Sequence, residues 1–225
     1  MILVTGASKG LGRSICERLE ATGREVFGIA RDVQGLPFQA MRCDVSSPND
    51  VKHVSQELKK RGIRLDGLIN AAGIASMNLA VTTPAEVAKQ IIEINLLGTI
   101  YCCQFMAPLI IRNKSGSIIN FSSIAVALGL KGESIYVASK AGIEGFTRAF
   151  AREMADFGVN VNCIAPGPID TSLLKGITQD QISRIVIQQI IPRQFTRDAI
   201  CDLVEVLLDK KSGALSGEVL HVGGV

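Results

Sequence analysis

Tyr136 and Lys140 are the residues whose types and spacing could carry proton chemistry in this chain. They stand in the stretch Ser122 to Gly145, SSIAVALGLKGESIYVASKAGIEG, in a segment that reads as the start of a helix. An i, i+4 pair projects from one helical face a turn apart, so the phenol and the ammonium can share a pocket. Ser123 lies upstream at the end of SIINFSS, an apolar run with the length and β-character of a buried strand. A tyrosine ordinarily titrates at about 10. An ammonium beside it stabilises the phenolate and brings the phenol toward general acid and base range. By itself Tyr-x-x-x-Lys equally describes an interface phenol beside a solvated charge. The surrounding elements give it weight.

The chain opens with a short apolar strand, Ile2–Val4, then TGASKGLG and an amphipathic helix beginning at Ser14. Gly6, Gly10 and Gly12 allow a tight turn and let backbone N–H groups approach a pyrophosphate at the helix N-terminus. A second strand, Glu25–Ala30, runs into Arg31 and Asp32. In dinucleotide folds an acidic group here binds a ribose 2′-hydroxyl and a basic one a 2′-phosphate. Arg31 together with Lys9 points to NADP(H), whereas Asp32, if the strand runs one residue further, favours NAD(H). Only Val33–Pro37 precedes the third strand, FQAMRCDV, so no helical crossover of usual length fits there.

Asp44 ends that strand, and Ser47 with Pro48 caps a helix running to Lys60. The fourth strand, LDGLIN, leads into Asn70-Ala71-Ala72-Gly73, where small residues let the chain pass close to a cofactor and Asn70 can pin the loop. A helix from about Pro84 to Ile111 carries Asn95 in its apolar middle, either as a satisfied core amide or as a contact near the site. After the Tyr136 helix, extending to about Phe157, the strand VNVNCIAP ends in Pro166-Gly167-Pro168-Ile169-Asp170-Thr171. Residues 172–196 show mixed helical signal and no strand, and read as a mobile substrate lid. A helix at Asp198–Lys210 and the strand GEVLHV close the chain. This βαβα alternation, without linker or repeat, predicts one α/β domain over residues 1–225 with a doubly wound parallel sheet and helices on both faces.

Composition narrows the function. The 225 residues are ample for a buried core, and a hydrophobic share of 47% without low-complexity tracts excludes disorder. A net charge of +3, with no basic run, gives no footprint for nucleic acid. The cysteines show no metal-ligand spacing and sit in apolar runs, so they read as free thiols in a reducing compartment with no metal site. Ile91–Ile111 is apolar enough to suggest a membrane span, but Glu93, Asn95 and Gln104 interrupt it. A mostly buried helix in a cytoplasmic protein is the expectation.

Taken in order, TGASKGLG, Asp44, the NAAG of 70–73, Asn95, Ser123, Tyr136-x-x-x-Lys140 and Pro166-Gly167-x-x-x-Thr171 resemble the short-chain dehydrogenase/reductase family over nearly the whole chain. That resemblance implies a single-domain Rossmann-type fold and a dinucleotide-dependent carbonyl reductase. It implies Tyr136 as the general acid, Ser123 on the substrate oxygen, Lys140 on Tyr136 and the nicotinamide ribose, and Asn95 in a proton relay. Gly6, Ser8, Lys9, Leu11 and Gly12 would line the phosphates, with Asp44 and Val45 at adenine. Asn70, Ala71 and Gly73 would face the adenosine and ribose side, and Pro166, Gly167, Ile169 and Thr171 the nicotinamide. Within the family the likeness is closest to 3-oxoacyl-carrier-protein reductases, through GSIINFSSIAV, YVASKAGIEGFTRAFAREMA and LSGEVLHVGG. NADP(H), a carrier-bound acyl substrate and a homotetramer follow as expectations. The group docks acyl carrier protein on paired basic residues beside the active-site mouth; Lys114 fits one position, and Phe157 stands at the other.

Overall fold

Runs such as ILVT and GLIN, without a polar side chain until their last position, suit strands covered on both faces. A computed structural model, which describes residues 1–169 and 178–225, shows them in that setting. Its strands are β1 (Ile2–Thr5), β2 (Val26–Ala30), β3 (Gln39–Arg42), β4 (Gly67–Asn70), β5 (Gly116–Phe121), β6 (Val159–Ala165) and β7 (Val219–His221). They form one sheet in the order β3-β2-β1-β4-β5-β6-β7. Every pairing is parallel, with Thr5 opposite Ile29 on one side and Asn70 on the other.

Side-chain alternation divides the core between two layers. Ile2, Val4, Ile69 and Ile119 join one cluster, covered by α1 (Gly10–Ala21) through Ile15 and Leu19 and by a C-terminal helix, Arg197–Leu208, through Ile200 and Val204. Leu3, Leu68, Ile118 and Val161 join the other cluster. It is covered by α2 (Pro48–Lys60) and by two long helices at 85–111 and 134–155. The architecture is a single-domain, Rossmann-like α/β fold.

The connection between β2 and β3 holds no helix, as its length requires. Leu36 and Phe38 cover the sheet there instead, and Gly28 makes room: a Cβ on it would stand 2.7 Å from the Phe38 ring. The long helix of 85–111 is continuous but not uniform. It comprises α3 (Ala85–Ile91), a π-helical turn at Ile92–Leu97, and α4 (Gly98–Ile111). Its length and composition would allow a membrane crossing, yet Cys102, Cys103, Met106 and Ile110 are fully buried against the sheet. A short α5 (Ala125–Leu128) precedes α6 (Ser134–Ala155). Then come α7 (Gln179–Val186), which starts with a capping box at Thr178 and Gln181, and α8 (Arg197–Leu208). Asp170, Thr171 and the first part of the expected lid, 172–177, lie outside the described residues.

Candidate active site

In sheet order β1 has β2 and β3 on one side and β4 to β7 on the other, so the chain reverses direction of travel at β1 and β4. Open parallel sheets bind ligands in the crevice beyond the strand ends at such a point. A cleft of about 480 Å³ opens there. On its floor Gly6, at φ 68°, lies against the loop after β4: a Cβ would stand 2.9 Å from Ala72 Cα. Gly12 is tighter still, since its Cβ would lie 2.5 Å from the Gly6 carbonyl oxygen. The Ala72 N–H donates to Thr5 Oγ1 at 2.9 Å and ties the two loops together. No side chain caps α1, leaving the N–H groups of its first turn for a ligand. These features suit a pyrophosphate held by backbone.

The other end of the cleft is built by β5 and α6. Ser122 and Ser123 follow β5, and α6 presents Tyr136, Lys140, Glu144 and Arg148 at successive i+4 steps. Ser123, Tyr136 and Lys140 all line the cleft, with the Ser123 hydroxyl near enough to Tyr136 to favour its phenolate. Lys140 Nζ donates to the Phe121 carbonyl at 2.8 Å and stands 5.7 Å from the centre of the Tyr136 ring. One turn on, Glu144 accepts from the Ser122 hydroxyl at 2.7 Å and fixes α6 to the strand end.

The protonation pattern differs from the sequence expectation. Burial pushes the Tyr136 phenol up to about 12; the Ser123 hydroxyl opposes this and Glu133 adds to it. Burial also lowers the Lys140 ammonium to about 8. Both groups lose solvation, which penalises both charged forms, and the influence that lowers the phenol comes from Ser123 rather than from the amine.

Asn95 sits in the π-helical turn and is fully buried. Its side chain accepts from the Ile74 N–H at 2.8 Å, and donates to the Ile74 carbonyl at 2.9 Å and to Ser139 Oγ at 3.1 Å. It is therefore a satisfied amide that braces the cleft wall at Ile74, with its backbone carbonyl accepting from Thr99 Oγ1.

The cleft brings together most of the residues expected at it: Gly6, Ser8, Lys9, Leu11 and Gly12, then Arg31, Asp44 and Val45, then Ala71 and Gly73, then Pro166, Gly167 and Ile169. Arg31 and Asp32 both line it, but Asp32 Oδ1 already accepts from the Gln34 N–H at 3.1 Å. Asn70 is placed differently from expectation. Its amide donates to Asn120 Oδ1 at 2.8 Å and to Cys103 Sγ at 3.3 Å, because β4 alternation points it, like Leu68, to the layer beneath α4. Lys114 and Phe157 also depart from the expected position beside the mouth. They precede β5 and β6, whereas Ser123 and Pro166 follow those strands, so the pair lies at the opposite end of the sheet within this chain. Glu133, Ile74, Ile94 and Ile185 line the cleft and were not singled out from the sequence. For Glu133 the available signal was an acid three residues before Tyr136.

Residues 6–224 match the family model described as Enoyl-(Acyl carrier protein) reductase. The chain is 34% identical to the 3-oxoacyl-[acyl-carrier-protein] reductase of Staphylococcus epidermidis, over 99% of its own length and 96% of that protein's. It is 32% identical to the corresponding Escherichia coli reductase, over 99% and 95%. Among solved structures it is similar to the aldohexose dehydrogenase of Thermoplasma acidophilum, with a TM-score of 0.90 and 29% identity over 99% of this chain and 92% of that one. With a glycine-lined crevice at one end of the cleft and Ser123, Tyr136 and Lys140 at the other, the chain belongs to the short-chain dehydrogenase/reductase family of oxidoreductases.

Proposed function

We propose that this protein is an NADP(H)-dependent reductase of 3-oxoacyl thioesters, carried on acyl carrier protein or coenzyme A, giving 3-hydroxyacyl products. The supporting observation is the gathering of Ser123, Tyr136 and Lys140 in one cleft, in a chain similar over nearly its full length to 3-oxoacyl-[acyl-carrier-protein] reductases. When bound, the nicotinamide cofactor supplies the hydride. The chain's own residues do the rest. The glycine loop from Gly6 to Gly12, with Ser8 and Leu11, holds the phosphates; Asp44 and Val45 flank adenine; Ala71 and Gly73 border the ribose; Pro166, Gly167, Ile169 and Thr171 take the nicotinamide side. Ser123 donates to the substrate carbonyl oxygen, Tyr136 delivers the proton, and Lys140 holds positive charge beside it. Asn95 acts through Ile74 as a positioning residue. Residues 178–196, the described part of the expected lid, cover the substrate, with Ile185 supporting this by its place on the cleft wall. The assembly is a cytoplasmic homotetramer.

Oxidation of NADPH with acetoacetyl thioesters, compared with ketones and hydroxyketones, tests the reading; no turnover of any thioester would remove it. A second reading, the same chemistry on a polyol or sugar, draws support from the likeness to the aldohexose dehydrogenase, and thioester-free turnover would favour it. For the cofactor, Arg31→Ala should weaken NADPH roughly ten- to a hundredfold and NADH little, since a charge-assisted hydrogen bond to a 2′-phosphate is lost. Equal losses would remove Arg31 as the discriminator.

A further inference from the structure

Glu133 has no place in the roles assigned above, yet it lines the cleft three residues before Tyr136. It stands at the cap position of α6, where an acidic side chain ordinarily accepts from the helix's first N–H groups. Here it does not: α6 has no side-chain cap, and among the described residues the Glu133 carboxyl has neither a hydrogen bond nor an ion pair. Its exposure is 9%, its backbone N–H donates to the Leu130 carbonyl, and apolar Leu130 and Ile185 line the same cleft. The residue is mostly buried, but its carboxyl oxygens are not among the sealed polar atoms and still face the cleft, so what fills the cleft there, water or ligand, must satisfy them. It also lies close enough to raise the Tyr136 phenol electrostatically, and burial raises its own carboxyl as well. The cleft therefore has one carboxylate acceptor without a protein partner among the described residues, at the end that holds Tyr136.

We propose that Glu133 is a specificity-determining residue, accepting a hydrogen bond from an O–H or N–H group that the bound substrate presents to the Tyr136 end of the cleft. The inference rests on Tyr136 marking the reacting end. Two sources could present the donor: a hydroxyl of a polyol-like substrate, or the amide N–H of the arm of an acyl thioester. When a substrate fills the cleft and displaces water from this carboxyl, an analogue lacking the matching donor leaves the acceptor unpaired and is rejected.

The test uses the full chain with NADPH and pairs of ketones that differ in the donor. Acetoacetyl-N-acetylcysteamine is compared with S-ethyl acetothioacetate, and 1-hydroxy-2-butanone with 2-butanone. Glu133→Leu should lower kcat/KM at least tenfold for the donor-bearing member of one pair, mainly through KM. The donor-free member should stay within about threefold, and NADPH affinity should not change. Glu133→Gln, which keeps a carbonyl acceptor and serves also if the leucine variant fails to fold, should restore most of the loss. The pair that responds identifies the donor's source. An equal loss for both members of each pair, or no loss in either, would overturn the proposal. Failure of the acyl-thioester reading is separate: with no thioester turnover, calorimetric titration of the paired alcohols into the NADP⁺-loaded protein still decides. Equal affinity for alcohols with and without the extra donor would overturn the role of Glu133.

Discussion

Burial moves the titrations of Lys140 and Tyr136 in opposite directions. With its ammonium lowered to about 8, Lys140 is charged at neutral pH and loses that charge in the mildly alkaline range. Tyr136, raised to about 12, keeps its proton throughout. If the charge on Lys140 assists proton delivery, kcat/KM for carbonyl reduction should fall as pH rises through about 8, and a pH–rate profile checks it. Tyr136→Phe should lower kcat by roughly 10²–10⁴, the usual range for a lost general acid, with the thermal midpoint little changed. The types and spacing of Ser123, Tyr136 and Lys140 were readable in the sequence because helical periodicity alone puts residues 136 and 140 on one face. Glu133 was not, because an acid before a helix looks like a cap until the missing hydrogen bond is seen. Asn70 was misplaced because the strand runs through it, and period-two alternation carries its side chain away from the cleft.

Among the elements, the β1–α1 turn and the π-helical turn set the geometry of the cleft. Gly12→Ala would drive a methyl to 2.5 Å from the Gly6 carbonyl and 2.9 Å from that of Thr5, both backbone atoms that cannot swing aside. A loss of roughly 1–3 kcal/mol in urea denaturation is expected, together with weakened NADPH binding because α1 must back away from β1. Asn95→Ala would strand the N–H and carbonyl of Ile74, at a cost of about 1–3 kcal/mol per unsatisfied group. Urea midpoints and substrate KM should both worsen, since Ile74 is part of the wall. The sequence marked Asn95 as a polar residue in an apolar helix. It could not show the π-helical turn, because the i→i+5 register depends on what packs against the helix rather than on its own periodicity.

At the level of the whole molecule, all six cysteines are free and buried, so the fold stores protons against alkali. Burial raises Cys16, Cys43, Cys103 and Cys163 to about 12 and Cys201 to about 11, from an ordinary 9.0. Between those limits the unfolded chain releases thiol protons that the folded chain keeps, so stability falls as pH rises. Tyr136 works in the same direction between 10.0 and about 12. Lys140 opposes them, because between about 8 and 10.5 the unfolded chain holds the proton the folded chain has lost. The thiols outnumber it, and the urea midpoint should decline steadily above about pH 9. Replacing Cys43 by Ala should flatten that decline; a midpoint flat to pH 11 in the parent protein would contradict the argument.

Periodicity and segment lengths alone settle the order of strands and helices and the absence of a helical crossover between the second and third strands, whereas Ser123, Tyr136 and Lys140 are picked out as a set only through the resemblance to the family. The first two depend on neighbours within a few residues along the chain, where sterics and side-chain period act directly. Which carboxyl is left without a partner, which asparagine turns inward, and which way a buried phenol and amine shift are decided by residues far apart in the chain. Glu133 and Ile185 come to line one cleft, and Asn95 meets Ile74, only when the sheet and its two helical layers close around it. Desolvation and hydrogen-bond satisfaction are properties of that enclosure.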